Sequence, residues 1–127
     1  MLLTCLIALT TFFIETPIDK IKLSARIAQT SLEKERGLQD VTKLREREAM
    51  LFIFDKMGYY PFWMDKTQVP LALLFLNSKY VIVDIKYGTP YSRKIIRGNL
   101  PYQYVLEVNP MLVLKYKIKK NYRVVQK

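Results

Sequence analysis

Histidine is absent from this chain of 127 residues, and cysteine occurs once, at Cys5. Beyond that position there is neither thiolate nor imidazole, so transition-metal sites built from those groups are excluded there. Ser-His and Cys-His nucleophile pairs are excluded with them. A single cysteine also rules out an internal disulfide. Exported bacterial proteins often lack disulfides, so cysteine usage leaves the compartment open. Acidic residues are the next shortage: 11 Asp and Glu stand against 21 Lys and Arg, a formal charge of +10. The shortage is uneven. Glu15 to Pro70 holds 10 basic and 9 acidic residues, whereas Leu71 to Lys127 holds 11 basic and 2 acidic. Such a half either favours an anionic partner or merely keeps a basic surface soluble.

Charge is missing altogether from Met1 to Ile14, MLLTCLIALTTFFI. A membrane-spanning helix needs about 20 apolar residues, so this run is short for a stable anchor and nearer a signal-peptide core. The expected organisation is a hydrophobic leader over residues 1–14, then one domain over 15–127. Two features oppose an ordinary signal: no basic residue precedes the run, and Ala8-x-Thr10 is a poor cleavage site. The alternative is a buried first strand or helix of the domain.

The remainder is long enough for one core. Ile21 to Ala28 alternates as a half-buried strand does. Thr30-Ser31-Leu32-Glu33 has the form of a capping box, opening a helix over Ser31 to Arg36 that Gly37 ends. Asp40 to Glu48 reads as a solvated loop or helical turn, and Met50 to Phe54 as a covered strand closed by a turn at Asp55 to Gly58. Tyr59 to Met64 is an aromatic segment that Pro61 confines to an edge or bulge. Leu71 to Leu76 and Tyr80 to Tyr87 form a hairpin, with Val81, Val83 and Ile85 inward and Ile82, Asp84 and Lys86 outward. Tyr102 to Val108 is a strand with Tyr104, Leu106 and Val108 on one face. Asn109-Pro110 starts a turn or short helix, and Tyr122 to Val125 is the last strand. The fold class is α+β: a mainly antiparallel, compact, small barrel-like domain with one or two short helices.

The candidate ligand-binding residues are Arg36, Trp63, Met64, Asp65, Lys66 and Thr67. Aromatic side chains beside a proline suit a groove, and the polar residues after them could hydrogen-bond a ligand. Equally, Phe62 and Met64 could fill the core, with Trp63 covering a strand edge and Asp65 and Thr67 satisfying a turn. Packing is the commoner use of such residues. Arg36 could face an anion or pair with Glu33 one turn back. Lys115, Lys117, Lys119, Lys120 and Arg123 are the candidate anion-binding set. No catalytic residue, metal ligand or cofactor is assigned. Asp84 and Glu107, the two acids of the basic half, are placed on polar strand faces.

Several segments in order resemble one family: Glu35-Arg36-Gly37-Leu38, Ala49-Met50-Leu51-Phe52-Ile53-Phe54, Phe62-Trp63-Met64-Asp65-Lys66-Thr67, Val69-Pro70-Leu71 and Tyr104-Val105-Leu106-Glu107-Val108. The chain is similar, over about Ile21 to Val125, to domain of unknown function 192. The resemblance implies a fold and no established activity, and members often carry a signal peptide. It also exposes departures. Ala49 stands where the family has Gly, and Asp65-Lys66 where it has Lys-Asn. Pro70-Leu71-Ala72 lacks the family's Asp after Pro-Leu. Lys117 to Tyr122 lacks both glycines of the family's C-terminal pattern.

The resulting expectation is a binding module without enzymatic activity, exported or membrane-associated. It would dock on an anionic membrane surface, an envelope polymer or a partner protein. Nucleic-acid binding is the alternative, through the five basic residues and interleaved tyrosines. An enzyme using carboxylate or lysine chemistry near Trp63 to Thr67 comes third.

Overall fold

Strand alternation and capping chemistry account for most of the elements. The computed structural model describes residues 8–126. In chain order the elements are β1 (Thr10–Glu15), β2 (Lys20–Ala28), α1 (Ser31–Arg36), β3 (Glu48–Gly58), β4 (Leu71–Leu76), β5 (Ile82–Gly88), β6 (Tyr102–Val108), α2 (Pro110–Tyr116) and β7 (Arg123–Gln126). The Thr30 hydroxyl accepts from Glu33 N, and the Glu33 carboxylate accepts from the backbone of Thr30 and Gln29. Gly37 then takes φ +50°, a sign that favours glycine. At α2, Asn109 caps Met111 N while its amide donates to Leu44 O, tying the helix to the preceding loop.

The seven strands form one curled sheet in the order β5-β4-β6-β3-β2-β1-β7. Every pairing is antiparallel except β2 with β3, which the α1 crossover joins in parallel. The two ends of this order also meet. Val81 bridges Arg123, and Ile82 N and Val124 N donate to Tyr122 O and Tyr80 O. A small barrel-like, mainly antiparallel α+β domain results.

It carries two cores. Ile14, Leu23, Leu51, Leu74, Leu106 and Val108 fill the barrel, and Leu112 and Ile118 join them from the α2 region. The second core lies on the opposite face of β3, β6 and β4, where Met50, Phe52, Leu73, Phe75 and Val105 meet Leu38, Val41, Met64 and Val69. Here the sheet is buried on both faces, which sets the position of the site below.

Four expectations need correction. Phe12 and Ile14 are buried in strand β1, which pairs with both β2 and β7, so the domain boundary at 14/15 moves ahead of Thr10. Apolar residues without polar alternation belong here to a buried strand; Met1 to Ile7 lie outside the described residues. Asp55 to Gly58 continues β3, and the chain reverses only after it. The β5 faces are reassigned by an irregularity opposite Phe75 and Leu76, where Ile82 pairs with Leu76 and Asp84 with Phe75. The extra residue lets Ile82 and Ile85 share the barrel side while Val83 joins the second core and Asp84 is buried. Glu107 is buried as well, because its face of β6 is covered.

Placement of β1 in the core has a measurable cost. Ile14→Ala is expected to destabilise the domain by about 2–5 kcal/mol in urea unfolding, and Leu9→Ala by less than about 0.5 kcal/mol. Ile14 is fully buried and Leu9 is 61% exposed. Equal, small effects would remove β1 from the fold.

Candidate functional site

Strand β6 puts Glu107 on the covered face, opposite Met50 of β3 and Leu73 of β4. The residue is 6% exposed, and its carboxyl has no hydrogen-bond or ion-pair partner among the described residues. Burial in apolar surroundings pushes its pKa from 4.5 up to about 8, because the charged form loses its hydration. The group is therefore a neutral acid at neutral pH, able to donate one hydrogen bond and to accept others.

What keeps this acid from being sealed in is a cavity of about 320 Å³ on the α1 side of the sheet. Phe52, Phe54, Tyr60, Phe62 and Trp63 supply aromatic walls, with Leu71 beside them. Thr67, 6% exposed, reaches the same space, and Lys34, Glu35 and Arg36 bring charge to it from α1. The walls hold each other. Phe54 stacks on Tyr60 at 3.8 Å, and Phe62 meets Phe52 edge-on at 5.1 Å. Lys34 is already engaged: its ammonium donates to Ile53 O at 3.0 Å and lies 4.5 Å from the Phe54 centroid. Arg36 is exposed and makes no ion pair among the described residues; Glu33, its possible partner, serves the helix cap instead.

The aromatic segment is fixed at two points. Phe62 and Ile96 exchange backbone hydrogen bonds at 2.9 and 2.7 Å. Met64, 1% exposed, fills the space above Gly88, where any Cβ would overlap its sulfur. Met64 thus packs in the core and does not line the cavity. Trp63 remains 46% exposed, with the Arg93 guanidinium 5.7 Å from its ring. Asp65 pairs with Arg93 at 3.8 Å. Asp65 and Lys66 border a neighbouring hollow that also includes Arg36 and Trp63. Of the six ligand-binding candidates, Arg36, Trp63 and Thr67 line the cavity with Glu107, Asp65 and Lys66 lie beside it, and Met64 supports it from below.

The basic candidates have other duties. Lys115 pairs with Glu46 at 3.2 Å and Lys120 with the buried Asp84 at 3.8 Å. The Asp84 carboxylate also accepts from Asn99 N and Ile85 N, so it anchors the loop that precedes β6. Lys117 caps α2 in the left-handed region at φ 51°. Lys117, Lys119 and Arg123 are exposed and carry no ion pair among the described residues. Several tyrosines are unavailable for stacking on bases. Tyr80 stacks on Tyr104 at 4.1 Å, burial holds its hydroxyl near pKa 12, and Tyr102 is fully buried. Among the described residues no three His, Cys, Asp or Glu side chains come together, and no helix is long and apolar enough to cross a membrane.

Fold and cavity define a small, barrel-like β domain with a side pocket built around an unpartnered acid. The chain belongs to the family domain of unknown function 192, "uncharacterized ACR", whose sequence profile matches residues 14–126. It is similar in structure to a protein of Sinorhizobium meliloti 1021 provisionally described as a transcription regulator. That likeness has a TM-score of 0.91 at 26% identity over 97% of each chain. It is also similar to a protein of unknown function from Novosphingobium aromaticivorans DSM 12444, with a TM-score of 0.87 at 25% identity. That match covers 92% of this chain and 84% of the other. No curated protein matches the chain.

Proposed function

We propose that this domain is a binding module without enzymatic activity whose ligand occupies the Glu107 cavity. One observation carries the reading: a buried carboxyl group without a partner opens into an aromatic-walled space. Among the described residues no fully buried side-chain polar atom lacks a partner, so the carboxyl oxygens reach the cavity, where a bound molecule can hydrogen-bond them. The cavity lies at the small end of the range for ligand sites. Among the described residues no hydrogen-bonded nucleophile–base pair accompanies Glu107, which supports binding over catalysis. The module is read as extracytoplasmic on the resemblance to a family whose members often carry a signal peptide, although Thr10 to Ile14 of the apolar run belong to β1; cell fractionation of the native-start protein tests that part. Docking on an anionic surface is the finer reading, and Lys117, Lys119 and Arg123 are the three of the five basic candidates without an ion pair among the described residues.

Amide-shift mapping by NMR against a library of small fragments tests the cavity. Bound fragments should move the amides of Gly37, Trp63, Thr67 and Glu107 together. Shifts confined to other surfaces would overturn the reading.

A nucleic-acid function has its own support in the description of the Sinorhizobium relative and in the +10 charge. It predicts affinity for single-stranded DNA that falls steeply with salt. Absent or salt-insensitive binding would dispose of it.

A further inference from the structure

The cavity combines three features that select among ligand classes. Of its two deeply buried polar residues, Thr67 is neutral and Glu107 is an acid without a counterion among the described residues. Its walls are aromatic rings, whose faces attract cations. Two such rings already seat cationic side chains, Lys34 on Phe54 and Arg93 on Trp63. Arg36, the third feature, is exposed at the α1 side without an ion pair among the described residues and also borders the neighbouring hollow of Asp65 and Lys66. An anion driven onto Glu107 would meet a carboxyl that must stay protonated. A neutral ligand would use only its hydrogen bonds. A cation exchanges the proton of Glu107 for a full charge pair inside aromatic walls, the strongest use of these groups.

Resting on the proposed binding function, we infer that the ligand is a small zwitterion. Its cationic nitrogen lies against Glu107 and the aromatic walls, and its carboxylate faces Arg36. The charged and titratable groups around the cavity are Glu107 from β6, Lys34, Glu35 and Arg36 from α1, and Tyr60 from the aromatic segment; β3 and β4 contribute none. Lys34 takes the Phe54 seat, held there by Ile53 O, and makes no ion pair with Glu107 among the described residues, which leaves the seat at the carboxyl open. Because the ligand requires the ionised form of Glu107, binding competes with the proton and strengthens as pH rises.

Two probes of the same shape test this: trimethylglycine, and the tert-butylacetate ion in which carbon replaces the cationic nitrogen. In NMR titrations trimethylglycine is expected to bind about tenfold or more tightly than its isostere. Its affinity should rise about tenfold or more between about pH 6 and about pH 9, as Glu107 loses its proton. Glu107→Gln, which keeps shape and removes the charge, should abolish both the preference and the pH dependence. Equal binding of the two probes in the cavity would overturn the zwitterion and leave the binding function standing, as would binding by uncharged fragments alone. A library in which nothing moves the cavity amides would overturn both.

Discussion

Stability of the native protein should fall as pH rises from about 4.5 to about 8, and Glu107→Gln should remove that fall. The unfolded chain releases the Glu107 proton near the ordinary value of 4.5, whereas burial makes the folded chain hold it until about 8. Within this window the folded state binds more protons than the unfolded one, so each rise in pH favours unfolding. The contribution of the retained proton is fully present below the lower value and spent above the upper one. At about 1.4 kcal/mol per pH unit of difference, the loss is on the order of a few kcal/mol. Glutamine at this position has no proton to lose, so urea midpoints of the variant at about pH 5 and about pH 8 should agree closely once changes common to both proteins are subtracted. A native protein whose midpoint is level across the window would show that water or a partner already relieves Glu107. The same experiment connects stability with binding, since a cationic ligand should restore the most stability at the upper end of the window.

Phe75→Ala is expected to cost about 3–5 kcal/mol, a large share of the about 5–15 kcal/mol by which an ordinary domain is stable. Phe75 has no exposed surface and lies 4.6 Å, centroid to centroid, from the ring of Tyr102. It also meets Phe62 edge-on at 6.4 Å, and the chain at Gly98 packs directly over its ring. Truncation would leave a void beneath three segments that shape the site: the aromatic strip, the loop before β6, and Tyr102, whose hydroxyl donates to Tyr60 O. Such a void is lined by covalently distant residues and collapses poorly. Leu114→Ala, at a position 71% exposed on α2, should change stability by less than about 0.5 kcal/mol. Thermal or urea unfolding of both variants checks the contrast; comparable losses would mean that the second core contributes little.

Local chemistry explains why α1 was legible from sequence. A Thr and a Glu three residues apart, followed by Gly37, specify a start and a stop without reference to the rest of the chain. The strands at Lys20–Ala28, Leu71–Leu76 and Tyr102–Val108 were legible for a related reason, since alternation or continuous apolarity reports directly on burial. The strand at Thr10–Glu15 was obscured because an uncharged apolar run looks alike in a leader and in a barrel. Alternation misplaces the faces of β5 because one extra residue between paired strands reverses every later side chain, and nothing in VIVDIK marks its position.

Glu107 shows how far periodicity can go. Alternation in YVLEV puts Leu106 and Val108 in the barrel, as the structure does, yet the same pattern makes the opposite face look solvated. One signal was present: an acid flanked by Val105, Leu106 and Val108 sits in a run apolar enough to be covered on both sides. Which elements cover it is a tertiary fact. The α1 crossover and the segment from Tyr59 to Val69 come from opposite sides of β3 in sequence. For Arg36, Trp63 and Thr67 the residue types suggested a ligand site, but their convergence on an acid 40 to 71 residues downstream required the fold.

The seam between the first and last strands has a kinetic side. Phe12 pairs with Gln126 and Glu15 with Arg123, contacts between segments more than a hundred residues apart, and the same short β7 also reaches the start of β5. Loop-closure entropy of that size is recovered only when the final strand docks, which places the domain among slow, topology-limited folders. Until then β1 and β5 remain open edges, each able to pair with another chain. For a molecule made from its N-terminus, the interval between emergence of β5 and arrival of β7 is the period in which a chaperone matters most.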